Sequence, residues 1–279
     1  MSAIASRVSA VVVDYHADEV LGGCIDSLRR NDVEEIVVVE NGEPGSTPPS
    51  LGGRSVTLVE PGLNLGYGRG VNRGAAAAAH LEYLLVSNPD VVVHDGAVAA
   101  LVSALDNAPT CGVAGPRILR PDGSVYPSHR VFPNIALAAA HALLAPVWPN
   151  NPATTRYRSR HADGTVDWVS GACFLIRRDV FERIGGFDER YFMFAEDMAL
   201  CLEVGQAGYG VLAVDEAVVT HVEGVSRQRA TRSMIWAHHR SAFRFEVQRA
   251  KGWRVVLLPL AAAVLGLRLV AVLVLRPKH

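Results

Sequence analysis

The sequence predicts an α/β protein built on a mostly parallel central sheet. Residues 8–13 and 36–39 are apolar apart from Ser9, which is typical of strands buried on both faces of a parallel sheet. Between them, a helix with one apolar face is predicted to start near Asp18. A short third strand at 56–59 follows, and this β-α-β-β order indicates a single sheet with right-handed crossovers.

The later part of the chain continues the same alternation of strands and helices. A helix is predicted at 96–107 and a hairpin turn at 121–123. Prolines interrupt 127–164, where we expect only partly helical structure. The remaining predicted strands are residues 83–86, 111–114, 210–214 and 217–220.

The composition describes a folded protein and excludes several functional classes. The chain has 279 residues, of which 49% are hydrophobic and 20% charged, so it can bury a sizeable core and is not disordered. A net charge of −1 gives no general attraction to nucleic acid, and no nucleic-acid partner is expected. The four cysteines form no CxxC pair, which indicates reduced core residues rather than a zinc site or disulfides.

Polar side chains follow the first two predicted strands, at the point where each strand ends. Tyr15 lies just beyond the first strand, and Glu40 and Asn41 close the second. Ligands of parallel α/β sheets bind beyond the carboxyl ends of the strands. These three residues are therefore predicted at the mouth of one crevice.

A glycine-rich segment at 64–74 precedes five alanines. It matches neither the dinucleotide fingerprint nor a phosphate-binding Walker loop. The spacing alone allows the start of a helix packed tightly on the sheet or a loop facing a ligand. In the second interpretation Gly66 allows the backbone to come close to the ligand. The polar residues that could contact the ligand are then Asn64, Arg69 and Asn72.

Two further polar groups follow buried strands. Asn88 and Asp90 come after the strand at 83–86, and His221 closes the strand at 217–220. A carboxylate at such a position suits a hard divalent cation that bridges phosphates, although an Asn-Pro-Asp sequence is also a common turn. A lone histidine is more often structural than catalytic.

Two adjacent acids, Glu196 and Asp197, directly follow four largely apolar residues at 192–195. Carboxylates beside apolar surface are desolvated, which favours proton-accepting chemistry. The same acids suit the start of the helix that follows. Both interpretations can hold at once.

Taken together, these motifs resemble the family-2 inverting glycosyltransferases of the GT-A fold over roughly residues 8–250. The segments that carry the resemblance are 64–72, Gly171-Ala172, 185–189, Glu196-Asp197 and the His-x-x-Gly-x-Ser sequence at 221–226. The resemblance implies a Rossmann-like, mostly parallel central sheet flanked by helices, followed by C-terminal membrane-associating helices. Its domains would be a catalytic domain at 1–230, with a donor half at about 1–120 and an acceptor half at about 165–230, and a helical region at 231–279.

The resemblance also implies roles for residues. Asp197 would be the general base and Glu196 would orient the base or the acceptor. Asp90 and His221 would hold Mg²⁺ or Mn²⁺, although Asn88 replaces the first carboxylate of the usual Asp-x-Asp. The predicted donor-binding residues are Tyr15, Glu40, Asn41, Asn64, Gly66, Arg69, Asn72, Asn88, Asp90, Arg227 and Arg229. The predicted acceptor-binding residues are Trp168, Gly171, Ala172 and Phe194.

Within that family the motifs are most similar to actinobacterial rhamnosyltransferases that act on polyprenyl-diphosphate N-acetylglucosamine. This similarity implies transfer of L-rhamnose from dTDP-L-rhamnose to a lipid-linked acceptor in cell-wall linker synthesis. The alternatives are another family-2 enzyme, such as a galactofuranosyl- or glucosyltransferase, and a non-catalytic, membrane-bound glycan-binding or scaffold protein.

The C-terminal segment predicts contact with a membrane. Residues 255–275 are almost wholly apolar and long enough to cross a bilayer, but Arg268 would cost about 2.5–3.5 kcal/mol at the centre of a span. The run therefore suits an interfacial helix, a true span, or packing in a homo-oligomer or the core. A basic helix at 234–249 precedes it, which suits an anionic surface. Residues 1–7 lack the apolar segment of a signal peptide, so we predict a peripheral protein on the cytoplasmic face of the cell membrane.

Overall fold

The computed structural model describes residues 6–43, 45, 48–133, 137, 140–141, 144, 147–222 and 232–275. The strands are β1 Val8–Asp14, β2 Glu35–Glu40, β3 Thr57–Val59, β4 Tyr83–Ser87, β5 Val91–Val93, β6 Cys111–Leu119, β7 Val125–Tyr126, β8 His129–Arg130, β9 Thr165–Val166, β10 Trp168–Val169, β11 Cys173–Arg177 and β12 Gly210–His221. The α-helices are α1 Asp18–Arg30, α2 Tyr67–Ala77, α3 Ala97–Asn107, α4 Pro152–Tyr157, α5 Arg178–Arg183, α6 Glu196–Gln206, α7 Arg232–Arg249 and α8 Leu258–Leu275.

The α/β prediction is confirmed, and the sheet is mixed in direction. Its path runs β3-β2-β1-β4-β11-β6-β12-β5. Strands β3, β2, β1 and β4 are parallel, as are β6 and β12. Strand β11 is antiparallel to both of its neighbours, β4 and β6. The carboxyl ends of β1, β2 and β4 therefore point to one edge, where the polar residues were predicted.

The apolar runs follow from burial of the sheet on both faces. In β1, Val8, Ala10 and Val12 pack on the face that α1 and α3 cover. Val11 and Val13 pack on the other face, which is covered by α2 and α6. Because successive strand residues point to opposite faces and both faces are covered, β1 is mostly apolar, and the hydroxyl of its buried Ser9 donates to the Ala79 carbonyl at 2.7 Å.

One predicted pair of strands forms a single element. The segments at 210–214 and 217–220 are both part of β12, which shifts its register against β6 between Val214 and Val218. The polar residues Asp215 and Glu216 that separate the two apolar runs lie within this irregularity. The predicted turn at 121–123 is confirmed, since β6 and β7 pair antiparallel across it.

Glycines in the 64–74 segment allow α2 to pack closely. A Cβ atom on Gly74 would lie 2.4 Å from Val11 Cγ1, so this helix rests directly on β1. Gly66 has a φ of +84°, and a Cβ atom there would lie 2.2 Å from the carbonyl oxygen of Phe192. Only glycine fits such a contact. The segment is thus a tight helix start that also brings residues 64–66 against the acceptor half.

The C-terminal region forms a helical hairpin of α7 and α8. The segment Gly252–Val270 is long and apolar enough to cross a membrane by length and composition, and only 6% of it is buried. Within the predicted excursion after residue 127, the described residues 137, 140, 141 and 144 are helical. The predicted membrane-associating region thus consists of two helices. Helix α7 packs on the body of the protein, and helix α8 is largely exposed.

Candidate active site

A cavity of about 820 Å³ lies at the edge where β1, β2 and β4 end. It brings together Asp90 and Asp197, which are far apart in the sequence. Its walls also include the start of α6, the loop before β11, and the inner sides of α7 and α8. The predicted site residues in its lining are Tyr15, Asn41, Asn64, Gly66, Asn88, Asp90, Trp168, Gly171, Ala172, Phe194, Glu196, Asp197 and His221.

Asp197 is held in the first turn of α6 by two backbone groups. Its Oδ2 accepts a hydrogen bond from the Gly171 N–H at 2.9 Å, and its Oδ1 accepts from the Met198 N–H at 2.8 Å. The turn before the helix is unusual, since Phe194 and Ala195 both have positive φ values. Such a conformation costs non-glycine residues energy and is found where a site demands a particular side-chain direction. The carboxylate therefore satisfies a helix N-terminus and faces the cavity at the same time.

The loop that holds Asp197 is tied to the donor half of the sheet. The Tyr67 hydroxyl donates to the Gly171 carbonyl at 2.5 Å. The Asn88 N–H donates to the Ala172 carbonyl at 2.8 Å. A Cβ atom on Gly171 would lie 3.2 Å from Asp197 Cβ, so the loop packs directly against the acid. Movement at the end of β4 would therefore be transmitted to Asp197 through a few short contacts.

The two acids differ in the groups that surround them. Burial and the neighbouring Asp197 raise the pKa of Glu196 to about 8, and its Oε2 is buried without a hydrogen-bond partner among the described residues. Burial also raises the pKa of Asp197, but the two backbone N–H groups and the charge of Arg130 act in the opposite direction. The Asp197 carboxylate therefore has partners that favour its charged form, which Glu196 Oε2 lacks among the described residues.

Glu196 should make stability depend on pH, and Glu196→Gln tests this. Its pKa is 4.5 in its ordinary state and about 8 in the folded protein, so stability from this group is complete below pH 4.5 and is lost as the pH rises towards 8. We expect the glutamine variant to gain unfolding free energy relative to the parent as the pH rises from 5 to 8.5, by up to ~4 kcal/mol at 1.36 kcal/mol per pKa unit, and its Tm to rise with it. Thermal unfolding of the variant and the parent across this pH range measures the difference in stability.

The exposed Glu189→Gln is the matched control for that experiment, since its side chain is 63% exposed. The difference in stability between this variant and the parent should be nearly constant with pH. If the stability difference between Glu196→Gln and the parent is equally independent of pH, Glu196 titrates normally.

Arg130 lies in an aromatic cage within the same cavity. Its guanidinium lies over the rings of Trp168 at 4.9 Å, Tyr157 at 5.3 Å and Tyr126 at 5.9 Å. Its Nε is buried without a hydrogen-bond acceptor, and none of the described carboxylates forms an ion pair with it. The Arg130 guanidinium thus occupies one face of Trp168, whose predicted role in acceptor binding stays a prediction.

Asp90 and His221, which also line the cavity, form a close pair. The Asp90 Oδ1 lies 3.0 Å from the His221 Nε2, and the Asn88 Nδ2 lies 3.5 Å from the same nitrogen. His221 Nδ1 is buried without a partner among the described residues. Two atoms that bind one ion at about 2.1 Å and at right angles lie about 3 Å apart, so the pair has the separation of neighbouring ligands. Carboxylate and imidazole together suit Mn²⁺, and the carboxylate suits Mg²⁺.

The described residues contain no cluster of three or more acidic, histidine or cysteine side chains that would hold an ion without help. The pair at Asp90 and His221 therefore fits a metal only if a phosphate-bearing ligand supplies further oxygens. This is the situation expected where a diphosphate binds together with its ion.

Several predicted donor residues lie outside the cavity lining and have structural partners. The Asn72 side chain exchanges two hydrogen bonds of 2.9 Å with the backbone of Phe187. The Arg69 Nε donates to the Glu189 carbonyl at 2.8 Å. Both side chains therefore help to position the 185–189 turn of the acceptor half, and their predicted role in donor binding stays a prediction. The predicted residues Arg227 and Arg229 lie outside the described residues.

Glu40 also lies behind the cavity wall. It is buried at the end of β2, opposite Asp14 of β1. Burial and the neighbouring Glu40 raise the pKa of Asp14 to about 7. Glu40 accepts a hydrogen bond from the Gly42 N–H at 2.9 Å. In this position it shapes the loop that carries Asn41, whose side chain bonds to Asn64 and Gly66.

Sequence reasoning missed Tyr67, Arg130 and Arg268, which all line the cavity. Tyr67 lies within the glycine-rich segment, but nothing local marks its hydroxyl as a partner of Gly171. Arg130 and Arg268 follow no motif, and their placement depends on the packing of β8 and α8. Alternation of basic and aromatic residues around 126–132 is the one sequence signal that could have suggested the cage.

Comparisons with known proteins agree with this geometry. The family model described as "Glycosyltransferase like family 2" matches residues 6–245. A Mycobacterium tuberculosis protein named N-acetylglucosaminyl-diphospho-decaprenol L-rhamnosyltransferase is 40% identical over 233 residues, covering 78% of this chain and 76% of that protein. The O-antigen biosynthesis protein RfbC of Myxococcus xanthus is 30% identical, covering 80% of this chain and 18% of that protein.

Solved structures show the same fold. Pyrobaculum calidifontis mannosyltransferase PcManGT, in complex with GDP-Man and Mn²⁺, has a TM-score of 0.58 at 17% identity and covers 98% of this chain and 76% of its own. GalNAc-T7 with UDP, GalNAc and Mn²⁺ has a TM-score of 0.60 at 17% identity, and this chain spans about half of its length, 47%. At this level of identity the likeness confirms the predicted GT-A fold.

Proposed function

Because this chain belongs to glycosyltransferase family 2, we propose that it transfers L-rhamnose from dTDP-L-rhamnose, with inversion, to a hydroxyl of polyprenyl-diphosphate-linked N-acetylglucosamine. The observation that carries the proposal is the shared cavity of Asp197 and the Asp90–His221 pair. A base and a phosphate-binding pair at two ends of one cavity are what a single displacement at a sugar carbon requires. The name of the 40% identical relative supports the choice of sugar and acceptor.

At the donor end, we assign the nucleotide to the surface formed by Tyr15, Asn41 and Asn64. Asp90 and His221 would hold Mg²⁺ or Mn²⁺ together with the diphosphate. When bound, the ion neutralises the charge that develops on the departing phosphate. Asn88 orients this end through its backbone contact with Ala172 and its side chain beside His221.

At the acceptor end, Asp197 takes the proton of the attacking hydroxyl. The oxygen then forms a bond to the anomeric carbon as the bond from that carbon to the nucleotide diphosphate breaks. One such displacement inverts the anomeric configuration, and the enzyme forms no covalent intermediate with the sugar. Burial favours this role because a base with a raised pKa accepts a proton more readily, and its two backbone hydrogen bonds keep the carboxylate aimed at the cavity.

The chain would divide between a catalytic domain at 1–230 and a C-terminal region at 231–279. The exposed apolar side of α8 would rest in the cytoplasmic leaflet of the cell membrane. This placement would bring a lipid-linked acceptor to the cavity by diffusion in the membrane plane.

A panel of sugar nucleotides tests the proposal. We expect transfer from dTDP-L-rhamnose to short-chain polyprenyl-diphosphate N-acetylglucosamine to exceed transfer from UDP-galactofuranose or UDP-glucose by at least ~10-fold in kcat/KM. NMR of the product should show the inverted anomer. Preference for either UDP-sugar would replace the donor assignment, and a product with retained configuration would contradict the single displacement.

A further inference from the structure

Helix α8 has two different sides. Ala261 is only 4% exposed, and Val264, Leu265 and Arg268 line the cavity with it. Residues three, four and seven positions apart lie on one face of a helix, so this face closes the cavity. Leu267, on the other side, is 74% exposed. The helix therefore separates the cavity from an apolar outer surface.

Arg268 is the charged residue within this apolar helix. No described carboxylate lies within ion-pair distance of it, and its side chain contributes to the cavity wall. Ionisable residues in apolar helices are costly and usually face a water-filled cavity or a ligand path. Arg268 is solvent-exposed and lies at the cavity wall, so its charge is accessible to an anionic ligand in the cavity.

A second arginine faces the same space. Arg130 has a buried Nε that meets no hydrogen-bond acceptor among the described residues, and its guanidinium lies within the aromatic cage. His141 also lines the cavity and stacks on Tyr157 at 4.9 Å. Burial lowers the pKa of His141 first, and the charges of Arg158, Arg130 and Arg268 lower it further. The field at this end of the cavity is therefore positive, although Glu246 also contributes to its wall.

Apolar side chains of α7 and α8 also line the cavity. They include Ala242 and Phe245 of α7 and Ala261 and Leu265 of α8. This arrangement joins a cationic site, an apolar channel and the membrane-facing surface of α8. A diphosphate attached to a prenyl chain presents a charged group followed by an apolar chain. This order matches that of the cationic site and the apolar channel.

We propose that Arg268 and Arg130 bind the diphosphate of the lipid-linked acceptor, and that the channel between α7 and α8 holds its first prenyl units. This proposal rests on the proposed function, in that the acceptor is lipid-linked. The sugar attached to the diphosphate then extends from the arginines towards Asp197. Guanidinium groups bind phosphate oxygens in pairs, so two arginines match the charge of one diphosphate.

Binding of geranylgeranyl diphosphate to the full chain in detergent tests the site without turnover. EDTA is added to remove the divalent ions that a diphosphate would use at Asp90 and His221. We expect Arg268→Gln to weaken this binding by about 10-fold or more and to leave binding of geranylgeraniol unchanged. Arg254→Gln, which removes a charge from the same tail outside the cavity lining, is the control and should bind as the parent does.

Steady-state kinetics give the second measurement. Arg268→Gln should raise KM for the polyprenyl-diphosphate acceptor by the same factor, with little change in kcat. An octyl glycoside of N-acetylglucosamine, which has no phosphate, should be used equally well by variant and parent. Equal losses in Arg268→Gln and Arg254→Gln, or unchanged diphosphate binding, would overturn the assignment. Failure of the parent to transfer any sugar to the lipid acceptor would instead contradict the proposed function, because the binding assay does not depend on it.

Discussion

Replacing Asp197 with asparagine is expected to lower kcat for sugar transfer by about 10²–10⁴-fold, the range for removal of a general base. The amide cannot accept the acceptor proton. The carboxylate also receives N–H groups from Gly171 and Met198 on its two oxygens, and asparagine can satisfy only one of them. The donor end of the cavity lies apart from this change, so thermal stabilisation by dTDP should persist. Steady-state transfer assays and dTDP thermal shifts measure the two effects.

Asp122→Asn is a matched control for this substitution, because Asp122 lies in the exposed β6–β7 turn, outside the cavity lining. Its activity should equal that of the parent. In the parent, kcat should fall as the pH drops through the raised pKa of Asp197, because protonation removes the base. Turnover of Asp197→Asn at the parental rate would end the assignment of Asp197 as the base.

Replacing Asp90 with asparagine should lower kcat/KM by about 10²–10³-fold, or ~3–4 kcal/mol. This change removes the carboxylate that lies 3.0 Å from His221, and Asn88 supplies only an amide beside the same histidine. We expect the concentration of Mn²⁺ that gives half-maximal activity to rise, while the fold remains intact. A Mn²⁺ titration of the transfer rate measures this shift.

Asp95→Asn provides the control for Asp90, since it lies five residues later and its side chain is 85% exposed. It should leave the Mn²⁺ titration unchanged. Restoring a carboxylate with Asn88→Asp in the Asp90→Asn protein should recover part of the lost activity. An Asp90→Asn protein with the parental Mn²⁺ response would show that the metal is held elsewhere.

The sequence predicted β1 and β2 of the parallel half closely because both are buried on both faces. The run at 8–13 became β1 Val8–Asp14, and the run at 36–39 became β2 Glu35–Glu40. Hydrophobic patterning reports burial directly, so it locates such strands well. It says little about direction, and the antiparallel placement of β11 between β4 and β6 depends on pairing across the whole chain.

The site residues likewise divide into those predicted from local sequence and those whose contacts depend on the whole fold. Glu196, Asp197 and Asp90 were predicted from local sequence, and all three line one cavity. Asn72 and Arg69 were predicted to contact the donor, yet their partners Phe187 and Glu189 lie more than a hundred positions away. An amide or a guanidinium bonds to whichever group the fold presents, so its role cannot be read from neighbours in the sequence.

By itself, the sequence determined which segments are buried strands, where acids follow them, and that the C-terminal run is apolar. These properties are local, because they depend on the polarity and spacing of adjacent residues. The tertiary structure alone decided that Asp90 and Asp197 face one cavity, and that Arg130 and Arg268 approach it from β8 and α8. Their convergence depends on contacts between distant elements, whose geometry is set by packing of the whole core rather than by any one segment.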